Sequence, residues 1–146
     1  MKKLIIHLFF MVACNYTQVK KSSSLNKNSI IGTWKMIYAE TIENDSLKVK
    51  ELSNTSFIKI INKTHFSFFN QEYNSTKNYY SGAGTYTLNK NNYTETLQYT
   101  TVAQIKNHQF SFLIELKGDT LIQSGIEKVE AAGINRKIIE KYLKIN

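Results

Sequence analysis

The chain carries three histidines, His7, His65 and His108, and one cysteine, Cys14. No His-x-His, His-Glu-x-x-His or cysteine cluster occurs, so the spacing offers no transition-metal site. Nucleophilic catalysis needs a serine or cysteine held beside a base. Ser124, in "IQSGIE", lacks the strand-to-helix elbow that such a serine requires, and Asp119, in "GDT", reads as a turn residue. No glycine-rich loop opens a helix that would cradle phosphate. His65 takes the face opposite Phe66 and Phe68, which is the solvent side, and His108 falls in a turn. No catalytic residue is expected. One ionisable residue stands out. Glu95, in "NYTETLQY", shares its alternate face with Tyr93, Leu97 and Tyr99. Inside a sheet a carboxylate is costly unless it is paired, and a lysine or the tyrosine hydroxyls would satisfy it. Glu95 reads as structural or as a ligand contact; a one-residue slip of register would place it outside.

The elements that must position these residues lie downstream of a distinct N-terminus. "MKKLIIHLFFMVAC" has a basic start at Lys2 and Lys3, an apolar run from Leu4 to Val12, and Ala13 before Cys14. Nine apolar-rich residues are too few to span ~30 Å of hydrocarbon, so residues 1–13 read as an export signal. Ala13-Cys14 at its end resembles the lipobox of bacterial lipoproteins, with Met11 where leucine is common. That resemblance implies lipidation of Cys14 and a membrane anchor; the alternative is an ordinary signal peptide and a secreted product. A single cysteine allows no intrachain disulfide. Residues 14–29, with "NYTQVKKSSSLNKNS", are polar and without apolar period, and read as a flexible tether.

The net charge is +8, and +6 once Lys2 and Lys3 are removed with the signal. The lysines are scattered, and no RNP, helix-turn-helix or zinc-finger pattern is present, so nucleic acid is not expected as a partner. A basic surface suits anionic phospholipid. Asn-x-Ser/Thr sequons begin at Asn15, Asn44, Asn54, Asn62, Asn74 and Asn92; in so Asn- and Thr-rich a chain they reflect composition.

From Ile30 the sequence alternates at period two, the mark of half-buried strands. Trp34, Met36 and Tyr38 fall on one face. "SFIKIIN" and "THFSFFN" flank Asn62-Lys63, "GTYTLN" and "NYTETLQY" flank "NKNN", and "QFSFLIELK" and "DTLIQSGIEKVE" flank Gly118-Asp119. Each junction predicts a tight hairpin. "TTVAQIKNH" predicts a loop or one helical turn. "NRKIIEKYLKIN" suits either a helix face or a strand; a strand is expected, because it could pair with the first and hide both sheet edges. The whole predicts an all-β, up-and-down antiparallel barrel of eight to ten strands over residues 30–146.

The ordered series "GTW", "GAGTYTL", "YTE" and "GDTL" resembles the lipocalin-like (calycin) barrels, in particular small domains of exported Bacteroidetes-type proteins, over most of Ile30 to Ile145. The resemblance implies that Gly32 bends the chain into the barrel floor and that Trp34 plugs the closed end. It also implies a cation over the tryptophan, for which Arg136 and Lys144 are the candidates. Some such barrels hold haem through a late histidine; only His108 could serve, and no cofactor is expected.

An eight-stranded barrel is either filled by side chains or holds one small ligand. By alternation the lining includes Trp34, Tyr38, Phe68, Tyr86, Tyr93, Glu95, Tyr99 and Phe112, an aromatic wall with polar tips that suits a small hydrophobic molecule. The expectation is therefore a lipid-anchored, periplasm-facing envelope protein that binds such a molecule. The alternative is a filled barrel that docks onto another envelope protein.

Overall fold

A computed structural model of the protein describes residues 25–146. The expected export signal, Cys14 and most of the expected tether lie outside the described residues. Nine strands form one antiparallel sheet: β1 (Gly32–Glu43), β2 (Ser46–Val49), β3 (Thr55–Ile61), β4 (His65–Glu72), β5 (Tyr80–Asn89), β6 (Asn92–Thr100), β7 (Gln109–Lys117), β8 (Thr120–Val129) and β9 (Ile134–Lys144). Neighbours in sequence are neighbours in the sheet, except that β2 pairs only with the far end of β1, whose start pairs with β3. The last strand returns to the first, with Trp34 opposite Lys144 and Met36 opposite Tyr142. Eight strands thus close into an up-and-down barrel, consistent with a lipocalin-like fold. Closure removes the free edges that an open sheet would expose. It also resolves the C-terminal ambiguity in favour of a strand, β9.

The hairpins form where the sequence placed them. Lys90 and Gly118 adopt left-handed φ values of 56° and 57°. At the β3–β4 turn the Asn62 side-chain oxygen accepts from the backbone N–H groups of Thr64 (2.9 Å) and His65 (2.7 Å), a local hydrogen-bonded turn. Asn44 and Asp45, with φ of 49° and 59°, make the two-residue turn between β1 and β2. "TTVAQIKNH" contains a single 3₁₀ turn, Ala103–Ile105, and a second 3₁₀ turn, Glu130–Ala132, joins β8 to β9.

One end of the barrel is sealed. Trp34 is wholly buried there, and its indole N–H donates to the Ile30 carbonyl at 2.9 Å. Ile30, also wholly buried, closes a 3₁₀ turn, Lys27–Ile30. Lys144 Nζ sits 5.5 Å from the indole centroid and supplies the covering cation. Arg136 does not. It lies toward the other end of β9 and pairs with Glu127 instead. Gly32 has φ 151°, and a Cβ there would come within 2.6 Å of the Asn146 carbonyl oxygen, so the start and end of the barrel meet at a position only glycine fits.

Three expectations need correction. The tether does not extend to residue 29: Leu25 packs against the core and its N–H donates to Asn91 Oδ1 at 3.3 Å. Isolated apolar residues in a polar stretch, Leu25 and Ile30, complete the barrel floor. Tyr38 and Tyr99 do not line the interior. The β1–β9 register shifts between Met36 and Tyr38, and the β5–β6 register shifts between Ala83 and Gly84. A bulge inserts one residue and turns everything beyond it to the other face. Tyr38 therefore lies outside, beneath Lys141 (4.7 Å to the ring centroid), and Tyr99 is 68% exposed.

Candidate functional site

Above the sealed floor the inward positions change character. Lys59, in the middle of β3, is opposite Trp34 in β1 and Phe68 in β4. Strand alternation forces its side chain inward between Phe57 and Ile61, and it is 2% exposed. Its Nζ lies 2.5 Å from Glu95 Oε1 and donates to Gln123 Oε1 at 2.7 Å. The rings of Tyr93, Tyr142 and Phe66 surround the ammonium at 5.4, 5.6 and 5.7 Å. Glu95, the residue singled out in the sequence, is thus inside and paired by a lysine. A buried pair of this kind makes sense only with its remaining hydrogen bonds met, and Gln123 meets one of them.

Nearer the open end Arg136 Nε donates to Glu127 Oε2 at 2.6 Å across the β8–β9 pairing. Between the two ion pairs stands Glu140, also on β9 and opposite Gln123. It accepts a hydrogen bond from the Tyr142 hydroxyl at 2.6 Å. Burial raises the Glu140 carboxyl above the ordinary carboxylate range. The Lys59 charge and the Tyr142 hydrogen bond oppose this, while Glu127 and Glu95 reinforce it. The phenols of Tyr142 and Tyr93 are held well above their usual range, chiefly by burial and next by the charges of Glu140 and Glu95 respectively.

These groups enclose a cavity of about 250 Å³. Phe57, Phe68, Phe110 and Phe112 give it an aromatic lining; Lys59, Glu95, Gln123, Glu127, Arg136 and Glu140 give it an ionic one. Phe57 and Phe68 stack at 5.6 Å, and Phe110 and Phe112 at 6.4 Å. Two glycines make room for these rings. A Cβ on Gly82 would lie 2.6 Å from Phe68 Cζ, and one on Gly125 would lie 2.8 Å from Phe112 Cδ1. Tyr80, Ile105 and Ile134 stand at the mouth, where the two 3₁₀ turns Ala103–Ile105 and Glu130–Ala132 contact each other.

Of the residues expected to line a pocket, Phe68, Glu95 and Phe112 do so. Trp34, Tyr86 and Tyr93 are buried in the core but do not border the cavity. Tyr86 and Tyr93 pack ring to ring at 5.1 Å, and the Tyr86 hydroxyl donates to the Asn62 carbonyl at 2.7 Å. Lys59, Gln123, Glu127 and Glu140 were not anticipated. Their signal was present, since Lys59 sits at an alternate position between Phe57 and Ile61 just as Glu95 sits between Tyr93 and Leu97. A buried carboxylate calls for a cation on another inward face, and Lys59 is the lysine flanked by inward apolar residues.

No protein-family model matches the chain, and no curated protein matches it significantly.

Proposed function

We propose that the barrel binds one small amphipathic molecule, with an apolar body against the phenylalanines and a polar end against the ionic wall. The observation that supports this is the partly enclosed cavity, which combines an apolar lining with a few convergent polar groups as small-molecule sites do. At about 250 Å³ it is just below the ~300–1,000 Å³ common for such sites, which limits the guest to roughly one ring with a short arm. The ionic half replaces the expectation of a purely hydrophobic guest. Native mass spectrometry of the gently extracted protein tests the reading. An adduct of a few hundred daltons or less is expected. A clean apo mass, together with no thermal shift in a panel of single-ring amphiphiles, refutes it.

A second reading, a protein-docking module, draws on β2. All four of its residues are exposed, including Leu47 and Val49, and its outer edge is open to pairing by another strand. Cross-linking that captures a partner through β2, and not through the barrel mouth, would favour it.

The reading further places the protein in a bacterial envelope, anchored through a lipidated Cys14 and facing the periplasm. Its support is sequence alone: the apolar run, Ala13-Cys14 and the polar residues after them. Metabolic labelling with an alkynyl fatty acid in a bacterial host is expected to tag the full chain and not Cys14→Ser. Equal membrane association of both proteins would refute the anchor.

A further inference from the structure

We propose that the guest of this cavity carries a protonated nitrogen, and that Glu140 is its counter-ion. The inference rests on the small-molecule reading above and names the ligand class.

The argument is a charge count inside the barrel. Three carboxylates border the cavity, Glu95, Glu127 and Glu140, against two cations, Lys59 and Arg136. Each cation is already engaged: Lys59 by Glu95 and Gln123, Arg136 by Glu127. Glu140 makes no ion pair among the described residues, and the donor it receives is the neutral Tyr142 hydroxyl. A carboxylate offers about four lone-pair sites, so the Tyr142 hydroxyl uses only part of the accepting capacity of a residue that borders the cavity. The one cation that acts on it is Lys59, whose charge Glu95 already shares. Ala39 on β1 and Gln123 on β8 flank it in register, Lys59 approaches from β3, and Glu95 on β6 and Glu127 on β8 add negative potential. On its own strand Arg136 is committed to Glu127, and Lys137 and Lys141 fall on the opposite, outer face.

A cationic guest neutralises the surplus carboxylate, and the surrounding phenylalanine rings attract a cation as well. An anionic guest would bring a fourth negative charge to a wall that holds three carboxylates against two cations, its one opening being the Arg136 N–H groups that Glu127 does not use. A bare metal ion fits poorly, because no three carboxylate, histidine or cysteine groups among the described residues converge as a metal site requires. The occupant is an organic ammonium of about one aromatic ring.

Calorimetric titration of the purified protein at pH 8 with 2-phenylethylamine, 2-phenylethanol and 3-phenylpropionate tests the assignment. The amine is expected to bind at least about tenfold tighter than the alcohol, with the acid weakest. In Glu140→Gln, which keeps the side-chain shape, the preference for amine over alcohol is expected to shrink to within about twofold while the alcohol is unaffected. Circular dichroism checks that the variant folds. If it does not, the wild-type pH profile gives the same answer: amine binding falls as the pH is lowered from 8 and Glu140 takes up a proton, and alcohol binding stays level. Equal binding of amine and alcohol, a preference for the acid, or a level amine profile overturns the charge assignment and leaves the small-molecule reading standing. Failure of all three compounds to bind at millimolar concentration overturns both.

Discussion

Replacing Lys59 by methionine removes one charge from the middle of the barrel and leaves Glu95, 6% exposed, without its cation. Methionine keeps most of the lysine stem, so the packing against Phe66, Tyr93 and Tyr142 changes little. Two losses dominate. The Glu95 carboxylate stays buried and loses the ammonium 2.5 Å away, and the Gln123 oxygen loses a donor at 2.7 Å. Breaking a buried ion pair from one side costs about 3–5 kcal/mol. Against a domain stability of about 5–15 kcal/mol this is a large fraction. For a chain of this size it corresponds to a fall in Tm of about 10–20 °C. Urea unfolding is easily followed through Trp34, the single tryptophan and wholly buried in the folded state. Lys59→Met with Glu95→Gln removes both charges, and the double variant is expected to recover at least half of the loss, because replacing both members of a buried pair is often close to neutral. A cost below about 1 kcal/mol for Lys59→Met, or a double variant no more stable than the single one, would refute the view that this pair is desolvated and mutually dependent.

Three further outcomes follow from the geometry. Glu140→Gln is expected to stabilise the empty protein at pH 8 and to make no difference near pH 3. The folded-state carboxyl is raised by burial, so the folded protein holds its proton to higher pH than the unfolded chain does, and the wild type loses stability as pH rises above the unfolded value; urea midpoints of both proteins across pH 3–8 measure this. Gly125→Ala is expected to cost about 1–3 kcal/mol in chemical denaturation, because its Cβ would lie 2.8 Å from both Phe112 Cδ1 and the Ser111 carbonyl oxygen, and backbone cannot step aside. Lys144→Met is expected to cost about 0.5–1 kcal/mol and to alter the Trp34 emission spectrum, since Lys144 Nζ lies 5.5 Å from the indole; an unchanged spectrum would show that the cation does not sense the ring.

The barrel was legible because its signals are local. Alternation in "QFSFLIELK" places Phe112 and Ile114 inside and Ser111 and Glu115 outside, as β7 shows. Asn and Gly at the hairpin turns marked the reversals, and the lone tryptophan after Gly32 marked the floor. The expectation failed for Tyr38 and Tyr99 because alternation is a counting rule, and one inserted residue reverses the count. Whether a residue is inserted depends on the partner strand. Gly84, whose Cβ would lie 1.8 Å from the Thr96 carbonyl oxygen, is the clearest local trace of such an irregularity, and it reads simply as one of two glycines in "GAG".

The ionic interior was hidden for a different reason. A lysine at an inward position looks like a slip of register when its strand is read alone, and so does a glutamate. Only when β3, β6 and β8 are brought round a common axis do Lys59, Glu95 and Gln123 meet, across 64 residues in the case of Lys59 and Gln123. Arg136 and Glu127 face each other across a hairpin, but the sequence alone could as well assign the arginine to the tryptophan, which Lys144 covers. The distinction matters for function. Were the interior charges only errors of reading, the barrel would be an apolar plug. With two complete ion pairs and one surplus carboxylate, an apolar guest alone would leave Glu140, whose pKa burial already raises, without a partner for its charge. A guest that brings a donor or a charge supplies one. On the proposed small-molecule reading, the polarity of the wall would therefore constrain a guest more tightly than the cavity's size does.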